Sequence, residues 1–245
     1  MHSGIRIALV GDRNGRQKSH QAIPLALSAA PESEVEGVWI ATDAVAKGES
    51  LAEYDGVWCV PGMPYSSAAG ALKAIRHART TRTPFLGSSA GFQYALIEYA
   101  RNVLGFGEAD HQKTTPNAAM PLISPLGCAL AGMKARVRFT DGSLLRKAYH
   151  AGESVEHYHC SFGLNGRYRR LLEGATGIAE YNVPHPSRHE EFGHGNPARS
   201  RAVDRHLNLS EFFADDLERV QHGSQSHHCR TMLIIMKDGD RHFSP

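Results

Sequence analysis

The sequence predicts an α/β fold, a parallel sheet wound by helices on both faces, and three observations carry that prediction. Short apolar runs recur at residues 5–10, 35–42, 56–60 and 84–86, each bounded by Gly, Pro or polar residues. Such runs are the pattern of strands buried on both faces. Stretches with apolar residues three and four apart lie between and after them, as amphipathic helices require. Finally, PFLGSSAGFQ at 84–93 leads from an apolar run through Gly87, Ser88, Ser89, Ala90 and Gly91 into a helical pattern. Strand, sharp turn and helix is the context in which G-x-S-x-G marks a nucleophile elbow.

Taken in order, IRIALV at 5–10 is the first strand and Gly11 to Lys18 a polar loop. QAIPLALSAA follows as a helix, with Pro24 placed early, where a missing N–H is tolerated. VEGVWIAT at 35–42 is the second strand, and the third centres on Gly56 to Val60. Gly62 and Met63 turn the chain into the helix SAAGALKAIRHARTT, and Pro84 to Leu86 is the fourth strand. The order β-loop-α-β-β-α-β-elbow-α implies a parallel sheet wrapped on both faces. Asp110 to Pro125, polar and rich in Pro and Thr, is expected to be a loop over the site. Alternation at Met133, Ala135, Val137 and Phe139 predicts a strand ending in the Asp141-Gly142 turn. SLLRKAYHA reads as a short helix, EHYHCSFGLNGRYRRLLE as a strand passing into a basic helix, and GIAEYNV as a strand. From Pro184 the chain is polar and His-rich, without periodicity, and reads as a long loop or a disordered stretch. LSEFFADDLERVQ, capped by Ser210, is expected to be a helix, HGSQSHHC a loop, and TMLIIMKDG a last strand. The expected division is one domain over 1–183 and a divergent His-rich segment over 184–245.

Composition narrows the function classes. With 245 residues, 41% of them hydrophobic, the chain can bury a full core. A net charge of +2 and a pI of 8.4 supply no field for a polyanion, so no nucleic-acid partner is expected. Cys59, Cys128, Cys160 and Cys229 lie far apart and form no C-x-x-C pair. That excludes a zinc ribbon and a disulfide scaffold and fits a reducing compartment. IRIALVG is too short for a signal-peptide core, and no apolar run reaches membrane-spanning length, so a cytoplasmic protein with no membrane contact is expected. Eight of the fifteen histidines follow Pro184, in a stretch that reads as solvated loop, so neither a metal nor a cofactor is expected. Arg167, Arg169 and Arg170 read as a solvated helix face.

Two constellations carry chemistry. The elbow needs small residues because its turn is strained and its neighbours crowd any bulky side chain. It would expose Ser89 over a helix N-terminus, where the Ala90 amide favours developing negative charge. The competing reading is a small-residue loop that does no chemistry. The second constellation is Cys160 with His157 and His159, which would favour a thiolate and make Cys160 an alternative catalytic residue. Against it, alternate residues of a strand face opposite ways, so the two histidines cannot both pair with Cys160. H-x-H-C also lacks the usual zinc spacing.

IALVGD at 7–12, YDGVWCVPG at 54–62, PFLGSSAGFQYALIEYARNVLG at 84–105, and SLLRKAYHA with EHYHCSFGLN at 143–165 together resemble the glutaminase half of CTP synthase. That half is a class I (triad) glutamine amidotransferase, and the chain also resembles the proteins related to the CTP synthase C-terminal region. The resemblance implies a flavodoxin-like doubly wound sandwich of the class I amidotransferase type, with glutamine bound over the elbow. It also implies a place in pyrimidine metabolism, and a separate synthase subunit or a second copy as partner, since the large amidoligase domain is not in this sequence. Where the family has a nucleophilic cysteine stands Ser89, whose hydroxyl is far less ionised and needs a stronger base. Gly62 matches the oxyanion-side glycine, and Met63 replaces its glycine partner while still offering an N–H. Gln93 matches a glutamine-contacting position, and Ser88, His159 and Ser161 complete the implied substrate-binding set. The family's amino-group glutamate falls on Lys113 and its arginine on Ser161. Each such lost charge-assisted contact is worth about 1.5–3 kcal/mol.

The family's His-x-Glu pair has no counterpart. His185-Pro186-Ser187 lacks the acid, His189-Glu190-Glu191 lacks the context, and His227 and His228 have no acid two residues on. G-S-S-A-G also resembles the elbow of peptidase E and cyanophycinase. The expected function is therefore a CTP synthase-like amidotransferase homologue with altered or lost glutaminase activity, binding or acting on a small amide or amino-acid-like ligand. A serine hydrolase using Ser89 and a non-catalytic regulatory subunit remain as alternatives.

Overall fold

A computed structural model describes residues 4–28, 35–126, 133–139, 141, 146, 149–158, 160–172 and 233–236. The first half of the chain runs β1 (Ile5–Val10), α1 (Lys18–Ser28), β2 (Val35–Ile40), α2 (Thr42–Lys47), β3 (Gly56–Cys59), α3 (Ala68–Thr81), β4 (Phe85–Ser88) and α4 (Ala90–Asn102). There follow β5 (Ala109–His111), β6 (Met120–Pro125), β7 (Met133–Arg138), β8 (Glu153–Tyr158), β9 (Phe162–Leu164), a 3-10 turn at Gly166–Tyr168, α5 (Arg169–Leu172) and β10 (Leu233–Met236).

β10, β4, β3, β1 and β2 form one sheet in that order. The pairs β1–β2, β1–β3 and β3–β4 are parallel, and β10 runs antiparallel to β4. Val10 is in register with Ile40 and with Cys59, and Cys59 with Gly87. The carboxyl ends of these four strands therefore lie along one edge, where open α/β sheets bind ligands. The alternation within β1 builds two cores. Ile7 and Leu9 pack with Ile23 and Leu27 of α1 and with Val60. Ala8 and Val10 pack on the other face with Ala71, Ala74 and Ile75 of α3 and with Ala90, Ala95 and Leu96 of α4.

The α/β class, the elbow and the flanking helices are as the sequence predicts, with four corrections. α2 intervenes between β2 and β3; six residues, TDAVAK, are too few to show a helical period. Pro24 sits inside α1, which begins at Lys18; the proline is exposed, so the lost hydrogen bond falls on the wet side of the helix. The stretch 110–125 is not one loop, because β5 and β6 form a three-stranded sheet with β9. The main sheet is mixed rather than wholly parallel, since β10 adds an antiparallel edge. β7 and β8 pair separately as a hairpin. The expected strand GIAEYNV, the His-rich stretch with its expected helix at Ser210, the loop HGSQSHHC, Cys128, Cys229 and His159 lie outside the described residues, as does most of SLLRKAYHA. No described helix is long and apolar enough to cross a membrane.

Candidate active site

Ser89 joins β4 to α4 with φ 52° and ψ −111°, in the left-handed region that an L-residue enters only under constraint. The constraint is steric. A Cβ on Gly91 would lie 2.1 Å from the Cys59 carbonyl oxygen, and one on Gly87 would lie 3.0 Å from the Gly91 backbone. Both glycines of G-x-S-x-G are thus fixed by backbone passing backbone, and the turn cannot relax away from Ser89. The Ser89 side chain does not cap α4, whose first intrahelical bond runs from the Gln93 N–H to the Ser89 carbonyl at 3.1 Å. The Ala90 N–H and its neighbours in the first turn therefore have no helical acceptor, and they carry the positive end of the helix dipole. Beside them, the chain leaving β3 runs through Pro61, Gly62 and Met63. Gly62 holds φ 146°, a value only glycine adopts easily. Among the described residues, no acceptor takes the N–H of Gly62 or Met63.

The loop after β3 is tied at both ends. At its start, the buried His20 of α1 donates its Nε2–H to the Pro61 carbonyl. The tautomer follows from the other nitrogen, since Nδ1 accepts the Asn14 backbone N–H at 2.9 Å. The ring lies against Trp39, with centroids 4.8 Å apart. At the loop's other end, the Asp12 carboxylate at the tip of β1 accepts the Ser66 N–H at 2.6 Å and the Thr42 hydroxyl at 3.0 Å. Thr42 Oγ1 in turn accepts the Ser67 N–H at 2.9 Å.

A second brace crosses from the elbow helix to the small sheet. Gln93 is buried; its Nε2 donates to the Phe162 carbonyl at 2.9 Å and its Oε1 meets His111 Nε2 at 3.1 Å. His111 Nδ1 accepts the Lys113 N–H at 3.1 Å, so Nε2 carries the proton that Gln93 receives. Burial, with the Lys113 charge adding to it, lowers the His111 pKa to about 4, and the ring is neutral. The expected substrate contact Gln93 is therefore also a strut that carries the segment from Cys160 to Phe162 to the elbow. Cys160 is half-buried on that segment and Ser161 is exposed, its carbonyl accepting the Leu126 N–H at 2.9 Å. The Lys113 ammonium lies 5.9 Å from the Phe162 ring centroid.

The parallel register of β3 and β4 places the loop of Gly62 and Met63 beside the turn of Ser89 and Ala90, and Gln93, one turn into α4, reaches Phe162 of β9, with Cys160 and Ser161 in the segment just before that strand. The structure directs Ser88 elsewhere: that residue is buried, and its hydroxyl accepts the Trp58 indole N–H at 2.9 Å. Cys59, although it touches the elbow, is fully buried and its thiol pKa is pushed up by burial, so it offers no thiolate. Among the described residues no hydrogen bond reaches the Ser89 hydroxyl, and no group of three His, Cys, Asp or Glu side chains is placed to hold a metal. His20 and His111 have both ring nitrogens committed and are braces rather than bases. The sequence reading passed over both, although His20 lies in phase with Ile23 and Leu27 on the buried side of α1. A buried histidine on an apolar stripe needs fixed partners, and that was the available signal.

Residues 25–140 match the family model for glutamine amidotransferase class-I. The chain is 30% identical over 186 residues to CTP synthase of Sulfolobus acidocaldarius, covering 69% of this chain and 35% of that protein. It is 33% identical over 187 residues to CTP synthase of Methanopyrus kandleri, again covering 69% and 35%. It therefore spans about a third of the length of the curated relatives it matches. Among solved structures, the glutaminase domain of Trypanosoma brucei CTPS with bound acivicin superposes with a TM-score of 0.60. The identity is 20%, and the match covers 69% of this chain and 71% of that one.

Proposed function

Because this chain carries a class I glutamine amidotransferase domain related to the glutaminase domain of CTP synthases, we propose that it holds a small amide or amino-acid-like ligand with its carbonyl over Ser89. In this reading Ser89 is the attacking group, the N–H groups of Ala90 and of Gly62 or Met63 receive the oxyanion, and glutaminase activity is altered. The observation that carries it is the forced left-handed turn at Ser89, set over an uncapped helix N-terminus. Such a turn is costly to keep and gives a reacting carbonyl both a nucleophile and preorganised donors. A serine hydroxyl needs a base, and both described buried histidines are committed elsewhere. Lys113, on the loop that holds His111, and Ser161 argue against the usual grip on a zwitterionic glutamine, hence an altered substrate rather than a faster glutaminase.

Intact-mass labelling tests the reading. The protein would be treated in parallel with a fluorophosphonate, acivicin and iodoacetamide, with Ser89→Ala and Cys160→Ala as controls. An adduct mapped to Ser89 and lost in Ser89→Ala is the expected result. Fast, selective alkylation of Cys160 with Ser89 silent would move the chemistry to the β8–β9 segment. No labelling above background would leave a ligand-binding or regulatory subunit for a separate synthase.

A further inference from the structure

We propose that His20 is a positioning residue for the oxyanion-binding peptide: by holding the Pro61 carbonyl it turns the Gly62 N–H toward the elbow. This rests on the reading of Ser89 given above. In a trans peptide the C=O and the next N–H point in opposite directions. Met63–Pro64 is the one cis bond among the described residues, so the Pro61–Gly62 peptide is trans. Its carbonyl accepts the His20 Nε2–H and so faces α1. α1 packs on the sheet face of Ile7, Leu9 and Val60. The elbow helix packs on the opposite face, against Val10, Val57 and Cys59. The Gly62 N–H, opposite its carbonyl, is directed away from α1 toward the face of α4. Cys59 is in van der Waals contact with Gly91, so the same stretch of chain leaves β3 alongside the elbow.

The peptide needs such a lock because Gly62 can rotate. With no Cβ, it permits both orientations of the peptide that precedes it. The flipped peptide would present the Pro61 carbonyl to the elbow, replacing a donor with an acceptor where negative charge develops. His20 selects between them. Its own orientation is set by the Asn14 N–H on Nδ1 and by the Trp39 ring, and Asn14 is held in turn by bonds from the Arg16 and Gln17 amides. Both ring nitrogens are committed to backbone partners, so its part is geometric.

The test pairs His20→Phe, which keeps the ring against Trp39 but removes both nitrogens, with His20→Gln, which can still donate to Pro61. Crystal structures of both read the peptide directly. His20→Phe is expected to show the Pro61–Gly62 peptide flipped or in two orientations, and His20→Gln the wild-type orientation. In parallel, the rate of fluorophosphonate labelling at Ser89 is expected to fall about a hundredfold in His20→Phe, the loss typical of one oxyanion donor. It should recover in His20→Gln, with the half-saturating fluorophosphonate concentration, the measure of affinity here, changed less than threefold in either. A wild-type peptide orientation in His20→Phe would overturn the proposal, as would affinity and labelling rate falling together. Should His20→Phe not fold, nitrogen-15 NMR of the wild-type protein decides: a protonated Nε2 with bare Nδ1 is expected, and the reverse tautomer refutes it. If wild-type Ser89 does not label at all, the proposed function fails, while the peptide orientation and the tautomer still judge His20.

Discussion

The turn at Ser89 and the loops around it are held by different kinds of contact. The turn is fixed by backbone against backbone, with Gly91 on the Cys59 carbonyl and Gly87 on Gly91. The loops are held by side chains that reach over from other elements: His20 to Pro61, Asp12 to Ser66, Gln93 and His111 to Phe162. The Gly91 contact leaves no room to yield, because a Cβ there would overlap the Cys59 carbonyl at 2.1 Å, and the Gly87 approach of 3.0 Å is tight. Contacts of the second kind can be lost one at a time, with the strand framework left standing. A site built this way has a rigid reacting centre and a rim that can be retuned.

Substitutions should separate the two kinds of contact. Gly91→Ala is expected to be the most damaging: its new Cβ must displace β3 from α4, at a cost above about 4 kcal/mol, and cooperative unfolding in denaturant should be lost. A folded, near-wild-type Gly91→Ala would break the contrast. Next comes the strongest side-chain clamp on the elbow helix. Glu98 is fully buried and receives Arg79 through Nε at 3.0 Å and Nη2 at 2.8 Å. Arg79→Ala strands a buried carboxylate and should cost about 3–5 kcal/mol by urea denaturation, while the Ser89 turn keeps its φ in a crystal structure.

His111 sharpens the contrast through pH. Its pKa is lowered from 6.5 to about 4 in the folded protein, so the unfolded chain binds its proton first as pH falls. Its contribution is therefore whole above pH ~6.5 and is lost as pH drops toward ~4, by at most about 1.4 kcal/mol per pH unit. Thermal melts across that window should show a shallower acid slope for His111→Gln than for wild type. The smallest effect is expected at Ser67, the N-cap of α3, whose hydroxyl accepts the Gly70 N–H at 3.0 Å. Ser67→Ala should cost about 1 kcal/mol in melting experiments and leave Ser89 labelling unchanged.

What could be read from the sequence divides along the same line. Gly87, Ser89 and Gly91 announce themselves because a steric requirement admits few residue types, and adjacent residues meet it. The apolar runs at β1, β3 and β4 are legible because burial on both faces leaves few polar positions, Arg6 and Ser88 among them. His20 and His111 act on residues far away in sequence, and nothing local marks their targets. β5 and β6 are hidden by proline and threonine: Pro121 and Pro125 lie within β6, the central strand of the three, Pro121 beside the register shift between Asp110 and His111 and Pro125 at the strand's last position, while Thr114 and Thr115 lie between β5 and β6. The family resemblance places Ser88 in the substrate-binding set, yet it is buried at the end of β4 and its partner is Trp58.

The pairing of β10 with β4 bears on how the chain acquires its shape. β4 carries the elbow, and one of its two neighbours comes from residues 233–236, joined to it only after a long stretch of chain has been closed. Loop closure on that scale is entropically slow relative to the local βαβ contacts, so the parallel strands assemble first. Until β10 docks, β4 is an outer strand whose amides and carbonyls are open to any passing extended segment. During synthesis, the strand that ends in Ser89 is therefore open to mispairing until residues 233–236 arrive.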